Sequence, residues 1–503
     1  MSSLRAARSV SGTLPGITAL PLVVLLAGCA ARGAVPRLAP EVASLASALD
    51  STLANPAFDR ARWGVLVESA DDGQVLYSRD AGRLFVPASN LKLIVTAAAL
   101  ARLGADFRWT TTVLARGARH GDTLVGDLQV VGRGDPTFAV DATGDSVDEL
   151  HALRPWVDSL AARGIRVIRG RVTGDASAFP DPPLGRGWAW DDLDADYAAP
   201  VGALQFNESV AWIQVDPGLV TGAAASLLLV PRHAPLRVFG TVATAPADSN
   251  VAQLTWSRAP FGDSVTVGGR LSAGHSTARL PVAVPDPTRY FEAALTETLA
   301  EGGLQVTGET GPPGATAETL FTWRSPPLSQ VLPLLLKPSQ NQIAETLLRT
   351  LGLEIKGVGS VDSGRAVVGD VLAEFGVAPD AWILADGSGL SRYNEVAPEA
   401  IAAVLEAMYR RPDFAVFLDA LPVAGVDGTL ATRLQGTAAA GNAHAKTGSM
   451  SGVRALSGYV RAASGETLLF VLLANDVTAP RRVVEATQDR IVERLATFTR
   501  PAR

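Results

Sequence analysis

The chain has 503 residues, of which 47% are hydrophobic and 19% charged, and its formal net charge is −6. That length points to two or three domains with a large buried core, and the composition excludes a disordered or low-complexity protein. The acidic balance argues against nucleic acid as a partner, since phosphate recognition needs a basic patch, and the scattered histidines show no metal-ligand spacing.

At the start of the chain, Arg5 and Arg8 precede an apolar run, ITALPLVVLL (17–26), too short to span a bilayer as a mature helix. LAGCA follows and contains the only cysteine, Cys29. The arrangement resembles a bacterial lipoprotein signal, in which residues 1–28 are removed and Cys29 carries a lipid. An ordinary signal peptide with an incidental cysteine is the simpler alternative. Residues 29–45 read as a tether. A lipid on Cys29 would hold the working part against a membrane surface outside the cytoplasm. Ala30 stands where the lipoprotein pattern has aspartate for inner-membrane retention, which favours the outer membrane.

RWGVLVESADDGQVLYSRD (62–80) predicts two strands joined at Asp71-Asp72-Gly73. Pro87 ends the extended part, and Leu91–Leu103 predicts a buried helix stopped by Gly104. From about residue 106 the texture is strand and turn, and 205–280 holds many short apolar runs of all-β character. RYFEAALTETLAEGG (289–303) reads as a helix. Near 325 helical texture returns with LSQVLPLLLKPSQNQIAETLLRTLG, ended by Gly352. The last third offers two strands, SGVRALSGYV and ETLLFVLLAND, then a helix, RVVEATQDRIVERLATF. No internal repeat is apparent. The pattern predicts an α/β domain interrupted by a long, largely β insertion.

Lysine is scarce: of 44 basic residues only Lys92, Lys337, Lys356 and Lys446 are lysine. Lys92 lies in an apolar run three residues after Ser89, and residues i and i+3 share a helix face. Desolvation lowers a lysine pKa, so Lys92 is able to take the Ser89 proton, which an arginine is not. A helix cap at Ser89 and a snorkelling Lys92 account for the pair equally well in isolation. Lys446-Thr447-Gly448 reads as a strand edge where a cation and a hydroxyl meet a ligand carboxylate, or as a strand end with a solvated lysine. Ser339-Gln340-Asn341 follows Pro338, which disfavours helix before it, and also fits a capping box from Ser339 to Gln342.

In combination, S-x-x-K, S-x-N and K-T-G occur in the order of the serine acyl-enzymes that comprise penicillin-binding proteins and β-lactamases. The long interval from Ser89 to Ser339 requires a large insertion. The chain resembles the class C low-molecular-mass penicillin-binding proteins, the D-alanyl-D-alanine carboxypeptidase/endopeptidase family. GDLQVVGRGDPTF (126–138), GWAWDDLDADYAAP (187–200), DGSGLSRYNEVAP (386–398) and AKTGSMSG (445–452) carry the resemblance beside the three motifs.

The resemblance implies a penicillin-binding-protein/β-lactamase-like transpeptidase domain of mixed sheet and helices, over 46–105 and 325–503. Two inserted, mainly β domains would interrupt it, one over 106–204 and 281–324 and one nested at 205–280. It further implies that Ser89 attacks a peptidoglycan stem peptide with Lys92 as base and Ser339 as proton relay. Asn341 would hold the substrate amide, Lys446 and Thr447 the terminal carboxylate, and Ser89 and Ser449 the oxyanion, with Gly448 a substrate-binding position that allows close backbone approach. Asp175, Arg392 and Ser451 match positions that read the stem's side chain, although a turn residue and a surface cation explain the first two as well. Trp188 and Trp190 are candidates for the cleft wall or for local core. No cofactor is implied, and β-lactams would be covalent inhibitors. The rival readings are a serine β-lactamase and a non-catalytic wall-binding lipoprotein.

Overall fold

The computed structural model describes residues 39–138, 148, 150–309 and 317–501. The leader, Cys29 and the tether up to residue 38 lie outside the described residues. Helix α1 (Pro40–Leu53) begins inside the segment expected as tether, because Val42, Leu45, Leu49 and Leu53 recur at helical spacing and all bury. Among the described residues no helix is long and apolar enough to cross a membrane.

Strands β1 (Arg62–Ser69) and β2 (Val75–Arg79) form the expected antiparallel hairpin, with Gly73 at φ +73° in its turn. Helix α2 (Leu91–Leu103) follows and ends at Gly104, whose φ is +80°. Every residue from Leu91 to Leu100 is buried, so α2 is surrounded by protein and shows no solvent stripe. Helix α3 (Asn341–Lys356) is buried all round from Gln342 to Gly352, and α4 (Val361–Glu374) packs on it.

Gly352 does not end α3, as the sequence led us to expect; the helix runs on to Lys356 and stops at Gly357, φ +78°. The glycine serves packing instead. A Cβ at Gly352 would stand 2.7 Å from the Val358 carbonyl and 2.8 Å from the Gly364 nitrogen, and one at Gly364 would collide with the Leu348 carbonyl. Two helices approach closely where neither has a side chain.

Strands β3 (His444–Met450), β4 (Val453–Arg461) and β5 (Thr467–Asn475) complete an antiparallel sheet in the order β3-β4-β5-β1-β2, and α5 (Arg481–Ala496) closes the chain. β3, which carries Lys446-Thr447-Gly448, is an edge strand. One hydrophobic cluster joins α2 and the helices between residues 328 and 420 to this sheet.

The interruption is built separately. Strands at 110–120, 123–131, 167–169, 172–175, 305–306 and 317–324 share a six-stranded sheet, and the strands from 210 to 283 form two sheets of three. None pairs with the five-stranded sheet. These strands have their own cluster, centred on Trp156, whose ring meets Phe138 and Phe321 edge to face. The helix expected at 289–303 is present at Pro287–Glu301, capped by Asp286, which accepts from the Arg289 N–H at 3.0 Å. The mixed α/β architecture expected from the sequence is the architecture observed.

Candidate active site

Ser89 sits in a tight turn, Ala88–Asn90, that leads into α2. Two neighbours hold this turn. Asn90 Nδ2 donates to the Lys446 carbonyl at 2.9 Å, and a Cβ on Gly448 would stand 2.9 Å from the Pro87 carbonyl. On the other side a Cβ on Gly389, which has φ +84°, would collide with the Ala88 carbonyl. Glycine at 448 and 389 therefore lets β3 and the Asp386–Ser391 loop close on the serine from opposite sides.

Lys92 Nζ lies 2.9 Å from Ser89 Oγ, 2.6 Å from Asn341 Oδ1 and 2.7 Å from the Ser388 carbonyl oxygen. Asn341 Nδ2 donates to the Tyr197 carbonyl at 2.7 Å, which fixes Oδ1 toward the lysine. A neutral amine has two N–H bonds and one lone pair. Asn341 Oδ1 and Ser388 O only accept, so they take both N–H groups and leave the lone pair facing the Ser89 hydroxyl. Complete burial pushes the Lys92 ammonium down to about 7, against the charges of Asp386 and Glu345, which favour it. The pair thus has the geometry for a serine and its base, and the lowered Lys92 pKa favours a neutral fraction near pH 7.

Ser339 lines the same cleft, half-buried, at φ +70°, and its hydroxyl has no partner among the described residues. Holding a non-glycine residue there costs about 1–3 kcal/mol. The capping box expected between Ser339 and Gln342 is not formed. The left-handed backbone at Ser339 moves the cap to Gln340, whose side chain accepts from the Ile343 N–H at 3.2 Å.

The cleft has a volume of about 540 Å³, and Ser89, Ser339, Asn341, Thr447, Gly448 and Ser449 all line it. Lys446 does not. Its side chain is wholly buried, Nζ donates to the Thr447 carbonyl at 2.9 Å, and burial together with the charge of Lys92 pushes its pKa well below the usual lysine range. Thr447 Oγ1 donates to Thr429 Oγ1 at 2.7 Å. Arg392 and Ser451 are at the cleft, with Arg392 Nη2 donating to the Ser451 carbonyl at 2.7 Å. The structure does not bring Asp175 there. Its strand belongs to the six-stranded sheet, and its carboxylate accepts from the Ser177 N–H at 3.0 Å, as a turn residue does.

Glu345, Arg349, Asp386 and Ser388 join the site in the structure, although no motif in the sequence marks their chemistry. Glu345 Oε1 accepts from the Gly387 and Ser388 N–H groups, both at 2.8 Å, and Oε2 meets Arg349 Nη1 at 3.1 Å, all fully buried. Asp386 accepts from the Gly389 N–H (2.9 Å), the Ser391 N–H (2.6 Å) and Trp188 Nε1 (3.0 Å). Between them the two carboxylates hold the loop whose Ser388 carbonyl faces Lys92. The signal that would have found Glu345 is the i,i+4 Glu345–Arg349 pair inside an apolar run. Trp190, by contrast, is 73% exposed and is no part of a local core. Among the described residues no cluster of His, Cys, Asp and Glu is fit to hold a metal.

Residues 45–498 match the D-Ala-D-Ala carboxypeptidase 3 (S13) family. The chain is 35% identical to a D-alanyl-D-alanine carboxypeptidase of Actinomadura sp. (strain R39), over 97% of this chain and 90% of the relative. It is 30% identical to the D-alanyl-D-alanine carboxypeptidase DacB of Haemophilus influenzae, over 82% and 85% of the two chains. The crystal structure of penicillin-binding protein 4 from H. influenzae superposes with a TM-score of 0.76 at 27% identity, covering 90% of this chain and 99% of that one. A second crystal structure of that protein, complexed with a β-lactam, gives a TM-score of 0.71 at 26% identity over the same shares.

Proposed function

The chain belongs to the D-Ala-D-Ala carboxypeptidase 3 (S13) family, and from that premise we propose that it is a serine-type D-alanyl-D-alanine carboxypeptidase working through a Ser89 acyl-enzyme. The observation that carries the reading is the 2.9 Å between the buried Lys92 amine and the Ser89 hydroxyl, which opens on the cleft. Neutral Lys92 takes the Ser89 proton as Oγ attacks the carbonyl between two D-alanines of a peptidoglycan stem. The C–N bond then breaks, the leaving amine takes a proton relayed through Ser339, and a Ser89 ester remains. Water attacks the ester, with Lys92 again accepting the proton, and Ser89 is restored.

Backbone N–H groups of Ser89 and Ser449 are the proposed oxyanion donors, each worth about 3–4 kcal/mol in the transition state. Asn341 orients Lys92 and stands beside the substrate amide. Arg392 and Ser451 are the proposed readers of the stem's side chain. Cleavage of cross-links, in which the leaving amine belongs to a second stem, follows the same steps. A β-lactam is attacked by the same serine, but its ring amine stays tethered, so the ester persists.

The test is the intact mass of residues 30–503 after brief exposure to benzylpenicillin, beside a Ser89→Ala control. A persistent adduct on the parent chain alone supports the reading. Rapid penicillin turnover without adduct points to a β-lactamase, and neither adduct nor turnover from folded protein sinks the acyl-enzyme proposal. The LAGCA motif supports an extracytoplasmic, lipid-anchored placement. Mass analysis of the mature N-terminus decides it, and an unmodified Cys29 overturns it.

A further inference from the structure

A peptide with a free carboxyl terminus brings a negative charge about 3.8 Å along the chain from the scissile carbonyl. A cation beside it would favour binding, and Lys446 is poorly placed for that: it is wholly buried, its amine is engaged with a backbone carbonyl, and it is not on the cleft surface. Beyond Ser449 the cleft wall carries three arginines, Arg433, Arg454 and Arg481. Two of them already have counter-ions. Arg433 meets Asp489 at 2.6 Å, and Arg481 meets Glu485 at 2.7 Å.

Arg454 has none among the described residues. Its Nη1 donates only to the Met450 and Val453 carbonyls, at 2.7 and 2.6 Å, and its Nε is buried without a partner. Nη2 has no partner among the described residues. Desolvation and the neighbouring Arg481 both work against the Arg454 charge, while Glu485 partly offsets them. Register puts Arg454 directly opposite Ser449 on adjacent antiparallel strands, so the two side chains share a face of the sheet. Thr447, two residues from Ser449, shares that face as well.

We propose that Arg454, rather than Lys446, is the counter-ion for the carboxylate of the residue that leaves. The inference rests on the carboxypeptidase reading above and makes Arg454 a specificity-determining residue. Thr447 and Ser449 supply hydroxyls beside it, and the two backbone carbonyls hold the guanidinium in place. Arginine fits this position because its planar fork can donate to backbone and carboxylate at once. Arg433 and Arg481, with their charges already matched, form the surround.

The experiment compares diacetyl-L-lysyl-D-alanyl-D-alanine with its C-terminal amide, which keeps the scissile bond and lacks the charge. In the parent chain the acid is the better substrate by kcat/KM. Arg454→Gln lowers kcat/KM for the acid by about 10- to 100-fold, the range for a hydrogen bond to a charged group, and leaves the amide unchanged. Arg454→Lys keeps part of the preference, and Arg481→Gln keeps all of it. The amide is also the control for folding. An Arg454→Gln chain that retains the preference, or that loses both substrates equally, overturns the inference. The same pair of ligands is titrated calorimetrically into Ser89→Ala and into Ser89→Ala with Arg454→Gln, where no turnover is needed. If the parent chain neither cleaves peptide nor takes up penicillin, the acyl-enzyme reading falls, and this titration alone decides Arg454. Tighter binding of the acid that vanishes with Arg454→Gln supports it; tighter binding that remains, or none in Ser89→Ala, rejects it.

Discussion

Lys92 and Lys446 are both wholly buried, and desolvation disfavours the charged form of each, yet their surroundings differ. Around Lys92 stand two buried carboxylates, Glu345 and Asp386, whose charges pull back toward the ammonium, and the balance falls at about 7. The neighbouring charge on Lys446 is Lys92 itself, which adds to the desolvation, and the pKa falls well below the usual lysine range. Burial with no acid beside it pushes a lysine far toward its neutral form. A base that also has to carry a proton needs burial partly offset by acids, and only the first site has them.

The sharpest way to break this comparison is to remove the poised lysine. Lys92→Gln keeps a polar side chain in reach of Asn341 and Ser388 but has no basic lone pair. Acylation by benzylpenicillin falls by about 10²- to 10⁴-fold, the usual contribution of a general base. The second-order rate of adduct formation measures this, and a loss under tenfold would remove Lys92 from the role. In the parent chain the same rate rises with pH through about 7, as Lys92 loses its proton, and levels above.

Removing one of the offsetting acids tests the balance itself. In Glu345→Gln the amide oxygen still accepts from the Gly387 and Ser388 N–H groups, but the negative charge is gone. Without it the Lys92 ammonium is less favoured, so the rising limb of the pH–rate profile moves to lower pH. The variant also leaves Arg349 buried without its counter-ion, which costs about 3–5 kcal/mol of stability. Denaturant midpoints read the second effect and the profile reads the first. A limb that stays put means that Glu345 does not tune the lysine.

These acids show where sequence reading stops. Ser89 and Lys92 were legible because i,i+3 spacing is a local property, and the hairpin, α2 and the C-terminal strands followed from periodicity and turn residues. Glu345 was legible only as the i,i+4 partner of Arg349, because a helix buried on every side has no polar stripe to show that the pair faces inward. Gly352 misled in another way: a glycine that permits a helix crossing looks in the sequence like one that ends a helix. Arg454 reads as one more alternating strand residue until its register with Ser449 is known. Asp175 is the opposite case, since its resemblance to a substrate-reading position is local while its strand belongs to a separate sheet and it is not among the residues that line the cleft.

The smallest effect belongs to the second lysine and tests the comparison from the other side. Lys446→Met keeps the length of the side chain in a packed site and removes the amine, a swap that changes packing by less than about 1.5 kcal/mol. Lys446 has a folded pKa well below its unfolded value near 10.5, so between the two the unfolded chain binds the extra proton. Stability of the parent therefore rises with pH across that window, by about 1.4 kcal/mol per unit from this group, and is lower toward acid. Methionine removes the dependence. Relative to the parent, Lys446→Met gains thermal stability at pH 7, and the gain shrinks as pH approaches 10.5. The limb of the acylation profile near 7 stays in place, because Glu345 and Asp386, not Lys446, set the balance at Lys92. Melting curves at about pH 7 and at about pH 10, the second just below the unfolded value, read the first claim. If the gain instead grows toward the alkaline end, Lys446 is charged in the folded chain, and an unseen partner compensates it as the two acids compensate Lys92.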